Sequence, residues 1–484
     1  MTLRFTELVV PGGQGQRFNG GDGLRATIRG SATVPVAPGR RPRRPVVHTR
    51  GSRRAAGNGG RDARAPQEPF ASQRKLTGGR FAFNGAAQRF ALGSTGAAVT
   101  GHARPQMVNA SALNPAASPS ALAVSLNPAL RSLPVYQPGR PIEEVARELG
   151  LPAADIIKLA SNENPLGPSP KALEAMRGAL AQVHLYPDGN AFYLKQRLAE
   201  KLGVQPANLI LGNGSNEVLE FVGHALIQPG AEVVVSQYCF AVYPIVTHLF
   251  GGKLVVAPAK DHAHDLAAMR HAITERTRVV FVANPNNPTG TLAPAGAVLE
   301  LLHSVPPHAM VVIDEAYLEF LEEPQDLLPL IRSGSMPNLL LTRTFSKIHG
   351  LAGLRIGYGI GHPEFVAALE KIREPFNTSL LAQVAALAAL DDTEHLRRTR
   401  ANNTAGLRFY EDAFRRRGLP FLPSAGNFIL VRVGDGQRVF VELQKRGVIV
   451  RPMGGYQLPE WVRISVGTPA ENEKCLAALA EVLG

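Results

Sequence analysis

From Arg131 to the C-terminus, short apolar runs alternate with amphipathic stretches of helical period, and this alternation constrains the fold more than any other feature. The apolar runs have the length of buried strands and lie at residues 208–211, 232–235, 279–283, 310–313 and 339–342. Helical patterns lie between them, for example at 217–227 and 294–303. Because such alternation is typical of βαβ units, the sequence predicts an α/β fold in which helices cover both faces of a mostly parallel sheet.

After about Pro375 the pattern changes, which indicates a second, smaller domain. One long helix-like segment comes first, and strand-like runs at 427–433 and 448–451 then flank a helix at 437–446. The last helix begins at Thr468-Pro469-Ala470-Glu471, which combines a capping box with proline at the first helical position. We therefore predict a large α/β domain at 181–375 and a small α+β domain at 376–484, to which an N-terminal arm at 131–180 contributes.

The formal charge of +13 comes from the N-terminal segment alone. Residues 1–130 contain 18 Lys and Arg against 4 Asp and Glu, whereas the remaining residues contain 34 basic and 35 acidic groups. The segment is also rich in glycine and shows no helical or alternating period. Its composition predicts a disordered, basic, low-complexity extension, and we expect no specific binding to nucleic acid.

Two interpretations of this extension stay open. An arginine-rich, acid-poor composition suits an organellar transit peptide or a basic arm, whereas a start codon assigned too early would place the natural start at Met107. A secretory signal is not expected, because the first residues lack an apolar core followed by a small-residue cleavage site.

The two cysteines, Cys239 and Cys475, cannot form a disulfide framework, and no Cys/His cluster has the spacing of a zinc site. We therefore expect a reduced, cytoplasmic protein without a metal site. No uncharged apolar run reaches the roughly eighteen residues that a membrane span needs, so a membrane protein is not expected.

Unusual polar residues follow four of the predicted strands. Strand 208–211 leads into Gly212-Asn213-Gly214-Ser215-Asn216-Glu217, a turn whose backbone amides favour a phosphate at the start of a helix. The next three strand ends carry Asn287, Asp314, and Lys347 with Arg355. Singly, these residues have ordinary explanations as a rigid turn, a helix cap or a solvated charge. Because ligands bind beyond the carboxyl ends of strands in open α/β sheets, we expect the four groups to line one site.

Taken together, Asn287, Asp314, Lys347 and Arg355, separated by 27, 33 and 8 residues, resemble the pyridoxal-phosphate enzymes of the aspartate aminotransferase fold, fold type I. The resemblance implies that Lys347 forms a Schiff base with the cofactor and shuttles the proton, and that Asp314 keeps the pyridine nitrogen protonated. Asn287 and Tyr317 would hydrogen-bond the phenolic oxygen. The other implied cofactor contacts are Phe240 against the ring and Gly214, Ser215, Asn216, Ser346 and Arg355 around the phosphate.

Within this fold, residues 133–484 resemble the histidinol-phosphate aminotransferases, most clearly at 159–168, 185–189, 344–358 and 462–468. The resemblance implies reversible amino transfer between L-histidinol phosphate and 2-oxoglutarate in histidine biosynthesis. Arg463 would bind the carboxylate of the amino or keto acid with Asn164 nearby, and Tyr136, Asn377 and Arg451 would meet the phosphate of histidinol phosphate. Tyr186 would reach the cofactor phosphate across an interface, which implies a homodimer with shared active sites.

Other functions stay open. Related enzymes transfer amino groups of aromatic amino acids or decarboxylate threonine phosphate, and Arg451 and Tyr136 also suit plain roles as a strand-end charge and a packing aromatic. A non-catalytic regulator with a basic arm is a different class. Residues 1–130 lack the helical periods of a DNA-binding module, and Lys347 is present, so both observations favour an enzyme.

Overall fold

The computed structural model describes residues 126–131, 133 and 135–484. The predicted extension therefore lies outside the described residues up to position 125, while its end includes a short 3-10 helix at Pro128–Arg131. All described residues belong to one compact unit, Ala110–Gly484. The domain boundaries at 180/181 and 375/376 stay predictions within that unit.

The strands are, in chain order, β1 (Ile157–Lys158), β2 (Leu209–Gly212), β3 (Glu232–Ser236), β4 (Lys253–Ala257), β5 (Thr277–Ala283), β6 (Met310–Asp314), β7 (Leu339–Thr344), β8 (Gly357–Gly361), β9 (Phe421–Leu422), β10 (Phe428–Arg432), β11 (Val448–Ile449), β12 (Arg451–Pro452) and β13 (Trp461–Ser465).

The α-helices are α1 (Ile142–Leu149), α2 (Pro170–Ala179), α3 (Phe192–Leu202), α4 (Ser215–Leu226), α5 (Val242–Leu249), α6 (Leu266–His271), α7 (Ala295–Ser304), α8 (Leu328–Arg332), α9 (Pro363–Glu370), α10 (Leu380–Leu390), α11 (Thr393–Arg416), α12 (Gly436–Lys445) and α13 (Pro469–Leu483).

A seven-stranded sheet in the order β2-β8-β7-β6-β5-β3-β4 forms the centre of the fold. Its strand pairs are parallel except those of β8, which runs antiparallel to β2 and β7. Successive residues point to opposite faces, so Val280 and Val282 enter one apolar cluster while Val279 and Phe281 enter the other. The predicted α/β class with a mostly parallel sheet and both faces covered is confirmed.

The register of the central strands brings the predicted polar groups to one edge. Asp314 at the end of β6 is paired with Ala283 of β5 on one side and with Thr342 of β7 on the other. The segments that follow these three strands therefore start close together, which explains why residues far apart in the sequence can share a site.

A second, antiparallel sheet, β12-β13-β10-β9, packs with α11, α12 and α13 around its own apolar cluster. The expectation of one long helix after Pro375 is wrong, because α10 ends at Leu390 and α11 begins at Thr393. Asp392 causes the break by acting as the N-cap of α11, where its side chain accepts a hydrogen bond from the backbone N–H of His395. The capping box predicted at Thr468 and Glu471 is present at the start of α13.

In the part of the chain that the structure describes, no helix has both the length and the apolar character of a membrane crossing.

Candidate active site

A cavity of about 380 Å³ opens at the carboxyl ends of β5, β6 and β7. Most predicted site residues line it: Tyr136, Ser215, Asn216, Phe240, Asn287, Asp314, Tyr317, Ser346, Lys347, Arg355, Arg451 and Arg463. Gly214, Asn164, Asn377 and Tyr186 are not among its lining residues. Side chains from the central sheet and from the second sheet therefore line the same cavity.

Lys347 enters the cavity from the loop after β7. Its Nζ donates a hydrogen bond to the carbonyl oxygen of Ser161 at 3.2 Å and lies 5.7 Å from the centre of the Tyr317 ring. Burial lowers the pKa of the Lys347 amine to about 8, and the nearby Arg463 guanidinium acts in the same direction. About a tenth of this amine is therefore neutral at pH 7, far more than for a lysine with the ordinary pKa, and the neutral form is the one that a nucleophile and proton carrier requires.

Asp314 forms the floor of the cavity and is only 4% exposed. Its carboxylate accepts hydrogen bonds from the Tyr243 hydroxyl at 2.9 Å and from the backbone N–H of Ala316 at 3.2 Å. Tyr243 is itself fixed by stacking on Phe281, with 4.7 Å between ring centres. Burial raises the pKa of Asp314, and this environment favours a cationic partner such as a protonated pyridine nitrogen.

One corner of the cavity can hold a phosphate. Ser215 and Asn216 begin α4, whose free N–H groups and dipole favour an anion, and Arg355 Nη1 lies 3.4 Å from the Ser346 hydroxyl. Gly214 stands behind this corner with φ of 80°, and a Cβ there would lie 2.7 Å from Arg355 Nη2. Gly214 therefore allows the guanidinium to approach the helix start, although it does not line the cavity itself.

Arg463 lies on β13 of the second sheet and lines the cavity. It donates hydrogen bonds to Asn287 Oδ1 at 2.5 Å and to the carbonyl oxygen of Ala160 at 3.0 Å, and its guanidinium lies over the Phe428 ring at 5.2 Å. Burial lowers the pKa of Arg463, and its buried Nε has no hydrogen-bond partner among the described residues. A buried cation with a free N–H is suited to binding a carboxylate.

Tyr317 and Asn287 both line the cavity. The Tyr317 hydroxyl accepts a hydrogen bond from Asn162 Nδ2 at 2.9 Å. Burial raises the pKa of Tyr317 to about 12, so the phenol stays protonated and retains its hydrogen for donation. Phe240 supplies an aromatic wall and meets Tyr243 edge to face, with 5.8 Å between ring centres.

Arg451 and Tyr136 form the outer end of the cavity. Arg451 Nη2 donates to the carbonyl oxygen of Gln137 at 2.6 Å, and its guanidinium carbon lies 5.7 Å from the centre of the Tyr136 ring. Tyr136 is 48% exposed, so this end is open to solvent. A guanidinium at an open rim can reach an anionic group on a substrate.

Asn164 and Asn377 are not among the residues that line the cavity, and their substrate contacts stay predictions. Asn164 Nδ2 donates to the carbonyl oxygen of Ile348 at 2.9 Å and to Thr399 Oγ1 at 3.2 Å. This amide therefore links the loop after β7 to α11. Asn377 Nδ2 donates to Glu217 Oε2 at 2.6 Å. Asn162 and Glu163 line the cavity instead. The segment 159–168 includes both residues, but its sequence pattern does not indicate which of its side chains points into the cavity.

Tyr186 lies on a separate groove next to the phosphate corner. Its ring is 82% exposed and stacks on Phe376 with 4.6 Å between ring centres. Arg355 lines both this groove and the cavity, so the groove adjoins the corner that suits a phosphate. Within one chain, however, Tyr186 does not enter the cavity that holds Lys347.

The described residues contain no group of three or more His, Cys, Asp or Glu side chains that could hold a metal ion. The donor set instead fits pyridoxal phosphate. Lys347, whose pKa is lowered, suits the aldehyde of that molecule. The buried carboxylate of Asp314 suits the pyridine nitrogen, and the start of α4 beside Arg355 suits the phosphate.

Comparison with known proteins agrees with this fit. Residues 154–479 match the model of the family "Aminotransferase class I and II". The chain is 55% identical over 352 residues to a histidinol-phosphate aminotransferase of Akkermansia muciniphila, which covers 72% of this chain and 96% of that protein. It is 53% identical over 358 residues to histidinol-phosphate aminotransferase 2 of Ralstonia nicotianae, covering 73% and 96%.

Solved structures show the same relationship. The histidinol-phosphate aminotransferase of Sinorhizobium meliloti in complex with pyridoxal-5'-phosphate superposes with a TM-score of 0.68 at 33% identity, covering 74% of this chain and 97% of that one. An aspartate aminotransferase of Thermus thermophilus superposes with a TM-score of 0.64 at 27% identity, covering 74% of this chain and 100% of that one.

Proposed function

Because this chain belongs to the class I and II aminotransferases, and uses pyridoxal phosphate as its cofactor, we propose that it transfers an amino group between L-histidinol phosphate and 2-oxoglutarate. The reaction belongs to histidine biosynthesis. The observation that carries the proposal is one cavity lined by Lys347 from the loop after β7, Asp314 at the end of β6 and Arg463 of β13.

Lys347 is the proposed catalytic residue. Bound pyridoxal phosphate supplies an electron sink for the charge that develops when the substrate loses a proton. Lys347 anchors the cofactor, and its Nζ, with a pKa of about 8, can accept that proton and return it.

The remaining cofactor contacts are part of the proposal, and what supports them is that the residues line one cavity. Asp314 would hold the protonated pyridine nitrogen, Tyr317 and Asn287 would hydrogen-bond the phenolic oxygen, and Phe240 would pack against the ring. Ser215, Asn216, Ser346 and Arg355 would bind the phosphate, with Gly214 providing the space for Arg355. The polar assignments pair a charge or dipole of the protein with one of opposite sign on the cofactor.

Two arginines separate the two ends of the substrates. Arg463 is buried and suits the α-carboxylate of glutamate, whereas Arg451 stands at the open rim with Tyr136 and suits the phosphate of histidinol phosphate. Histidinol phosphate carries an alcohol in place of the α-carboxylate, so its binding depends more on the rim. This difference makes Arg451 the side chain that tests substrate identity.

A homodimer that shares its active sites is the proposed assembly. Seven large apolar side chains on or near the groove that contains Tyr186 are exposed, by fractions from 44% to 82%. They are Leu180, Val183, Leu185, Tyr186, Phe192, Tyr193 and Phe376. Val183, Leu185, Tyr186 and Phe376 line one groove, and exposed apolar side chains grouped in this way favour burial against a second copy. Tyr186 of the partner subunit would then complete the phosphate corner.

The cytoplasm is the proposed location. Cys239 and Cys475 are both buried and unpaired, and burial raises the pKa of each thiol to about 12, so both suit a reducing compartment as inert packing residues.

A panel of amino donors tests the function. The purified enzyme should aminate 2-oxoglutarate from histidinol phosphate with a higher kcat/KM than from phenylalanine, tyrosine or threonine phosphate. Arg451→Gln should lower kcat/KM for histidinol phosphate by roughly 10- to 150-fold, because a charge-assisted contact is lost, with a smaller effect on phenylalanine. A parent enzyme that prefers phenylalanine or tyrosine would identify an aromatic aminotransferase instead.

Lys347→Ala tests the chemistry independently of the substrate. The variant should stay folded and lose all turnover, because Nζ is both the anchor and the proton carrier. Borohydride treatment of the parent should fix the cofactor to Lys347, as peptide mass mapping can show. A label on a different lysine would contradict the central assignment.

A further inference from the structure

Glu163 places a carboxylate at the mouth of the cavity, and the function proposed above gives it no role. Its side chain lines the cavity, is 46% exposed, and forms an ion pair in which Oε1 lies 3.2 Å from Lys158 Nζ. Among the described residues that line the cavity, Asp314 is the other carboxylate, while the cations are Lys347, Arg355, Arg451 and Arg463. Glu163 therefore offers a hydrogen-bond acceptor among charged lining side chains that are mostly cationic.

The backbone around Glu163 is fixed by bonds that do not use its side chain. Asn162 has a left-handed φ of 55°, and its N–H donates to Ser465 Oγ at 2.8 Å. Asn427 Nδ2 donates to the carbonyl oxygens of Asn162 and Glu163 at 3.0 and 3.3 Å. The bend sends Asn164 backward, where Ile348 accepts its amide hydrogen, and presents the Glu163 carboxylate to the cavity.

The chemistry of the proposed donor calls for such an acceptor. Its phosphate suits the arginines, but its imidazole ring carries an N–H donor and becomes a cation below a pKa of about 6.5. The arginines offer no acceptor to that ring. Asp314 lies at the buried floor and already accepts hydrogen bonds from Tyr243 and Ala316. Glu163 is the other carboxylate among the described residues that line the cavity, and its 46% exposure leaves it accessible to an incoming side chain.

We propose that the Glu163 carboxylate accepts a hydrogen bond from the imidazole ring of the amino donor and thereby selects this ring over a phenyl ring. The inference rests on the proposed function of the site. Lys158 Nζ occupies one position on the carboxylate, at 3.2 Å from Oε1, and the ring N–H takes a second position on the same carboxylate, which can accept several hydrogen bonds without help from Lys158.

The first test compares two donors in two variants. Glu163→Gln keeps the shape of the side chain but replaces a charged acceptor by a neutral amide oxygen, which makes a weaker hydrogen bond, so the ratio of kcat/KM for histidinol phosphate to that for phenylalanine should fall about tenfold. Lys158→Met is the matched control, because it removes the ion pair and keeps the carboxylate, and this ratio should not fall. Equal losses on both donors in Glu163→Gln, or an equal fall of the ratio in Lys158→Met, would overturn the role of Glu163.

The second test measures binding without turnover. In the Lys347→Ala background, calorimetry should show histidinol phosphate binding about tenfold more weakly when Glu163 is also changed to Gln. An unchanged Kd would overturn the inference. A parent enzyme that does not turn over histidinol phosphate overturns the proposed function, whereas a parent that does so, with an unchanged donor ratio in Glu163→Gln, overturns the role of Glu163 alone.

Discussion

The hydroxyl of Tyr243 is the side-chain donor that holds Asp314 at the floor of the cavity, and both groups are buried. Tyr243→Phe keeps the stacking on Phe281 and removes this hydrogen bond at 2.9 Å. A buried carboxylate that loses a donor becomes harder to ionise, so we expect weaker attraction for a pyridinium. The Kd for pyridoxal phosphate, followed by absorbance titration, should rise about tenfold, with a similar loss of turnover.

Tyr410→Phe provides the control for that substitution. Tyr410 is as deeply buried as Tyr243, but it packs in the apolar cluster of the second sheet with Phe414 and does not line the cavity. Its substitution should leave cofactor affinity unchanged. If both variants weakened the cofactor equally, the effect would come from core packing and not from the bond to Asp314.

Individual residues also show where sequence reasoning reaches its limit. Asp314 and Lys347 could be placed because Asp314 is the last residue of the buried strand β6 and Lys347 lies three residues after β7, in a sheet whose order is set by βαβ units. Asn164 could not, because the left-handed bend at Asn162 decides which side chain turns inward. Nor could Asn377, whose orientation depends on a hydrogen bond to Glu217, 160 residues away in the chain. Side-chain direction in loops is a tertiary property.

At the scale of elements, the five apolar runs became β2, β3, β5, β6 and β7 with ends within two residues of the prediction. They were predictable because strands covered on both faces must be apolar throughout. β8 was missed, since its sequence Gly357-Tyr358-Gly359-Ile360-Gly361 has glycine at alternate positions and few β-forming side chains. Space explains the glycines: a Cβ on Gly357 would lie 2.4 Å from the backbone nitrogen of Ser215.

The short 3-10 helix Leu318–Phe320 contains a titrating group that should make stability depend on pH. Burial raises the pKa of Glu319 from 4.5 to about 7, with Arg343 opposing the shift. Because the folded-state pKa is raised, the contribution of Glu319 to stability is complete below about pH 4.5 and is lost as pH rises through about 7. Glu319→Gln should therefore raise the free energy of unfolding by about 1–2 kcal/mol at about pH 8.

Denaturant unfolding at two pH values checks this expectation. Near pH 5 the parent and Glu319→Gln should differ little, since the parent carboxyl is then largely protonated. Glu322→Gln, at an exposed position in the following loop, should show no such pH-dependent difference. A stabilisation by Glu319→Gln that is the same at both pH values would exclude titration as its cause.

At the scale of the whole molecule, the residues that carry the proposed chemistry occupy only part of the chain. The lining of the cavity runs from Tyr136 to Arg463, and the family match spans 154–479. We therefore expect a chain that begins at Met107 to keep its melting temperature, its oligomeric state and its kcat/KM for histidinol phosphate. A large drop in any of these would show that residues 1–106 act on the enzyme.

The assembly is the last property to test, and its evidence is the exposed apolar surface around Tyr186. Leu185→Asp, at a position that is 59% exposed, should convert the dimer to monomers in sedimentation analysis, because a charge would be buried at the interface. Val441→Asp, at an apolar position on α12 that is 39% exposed, should leave the dimer intact. Dissociation by both would point to general unfolding.

Mixed dimers test whether Tyr186 serves the neighbouring site. Tyr186→Ala should lower activity by weakening the phosphate corner, and Lys347→Ala should abolish it. When the two proteins are unfolded together and refolded, half of the dimers should be mixed, and each mixed dimer then has one site with an intact Lys347 and the partner's Tyr186. Activity should return to about a quarter of that of the parent. If Tyr186 instead acted on its own chain, every site would lack one of the two groups, and mixing would restore nothing.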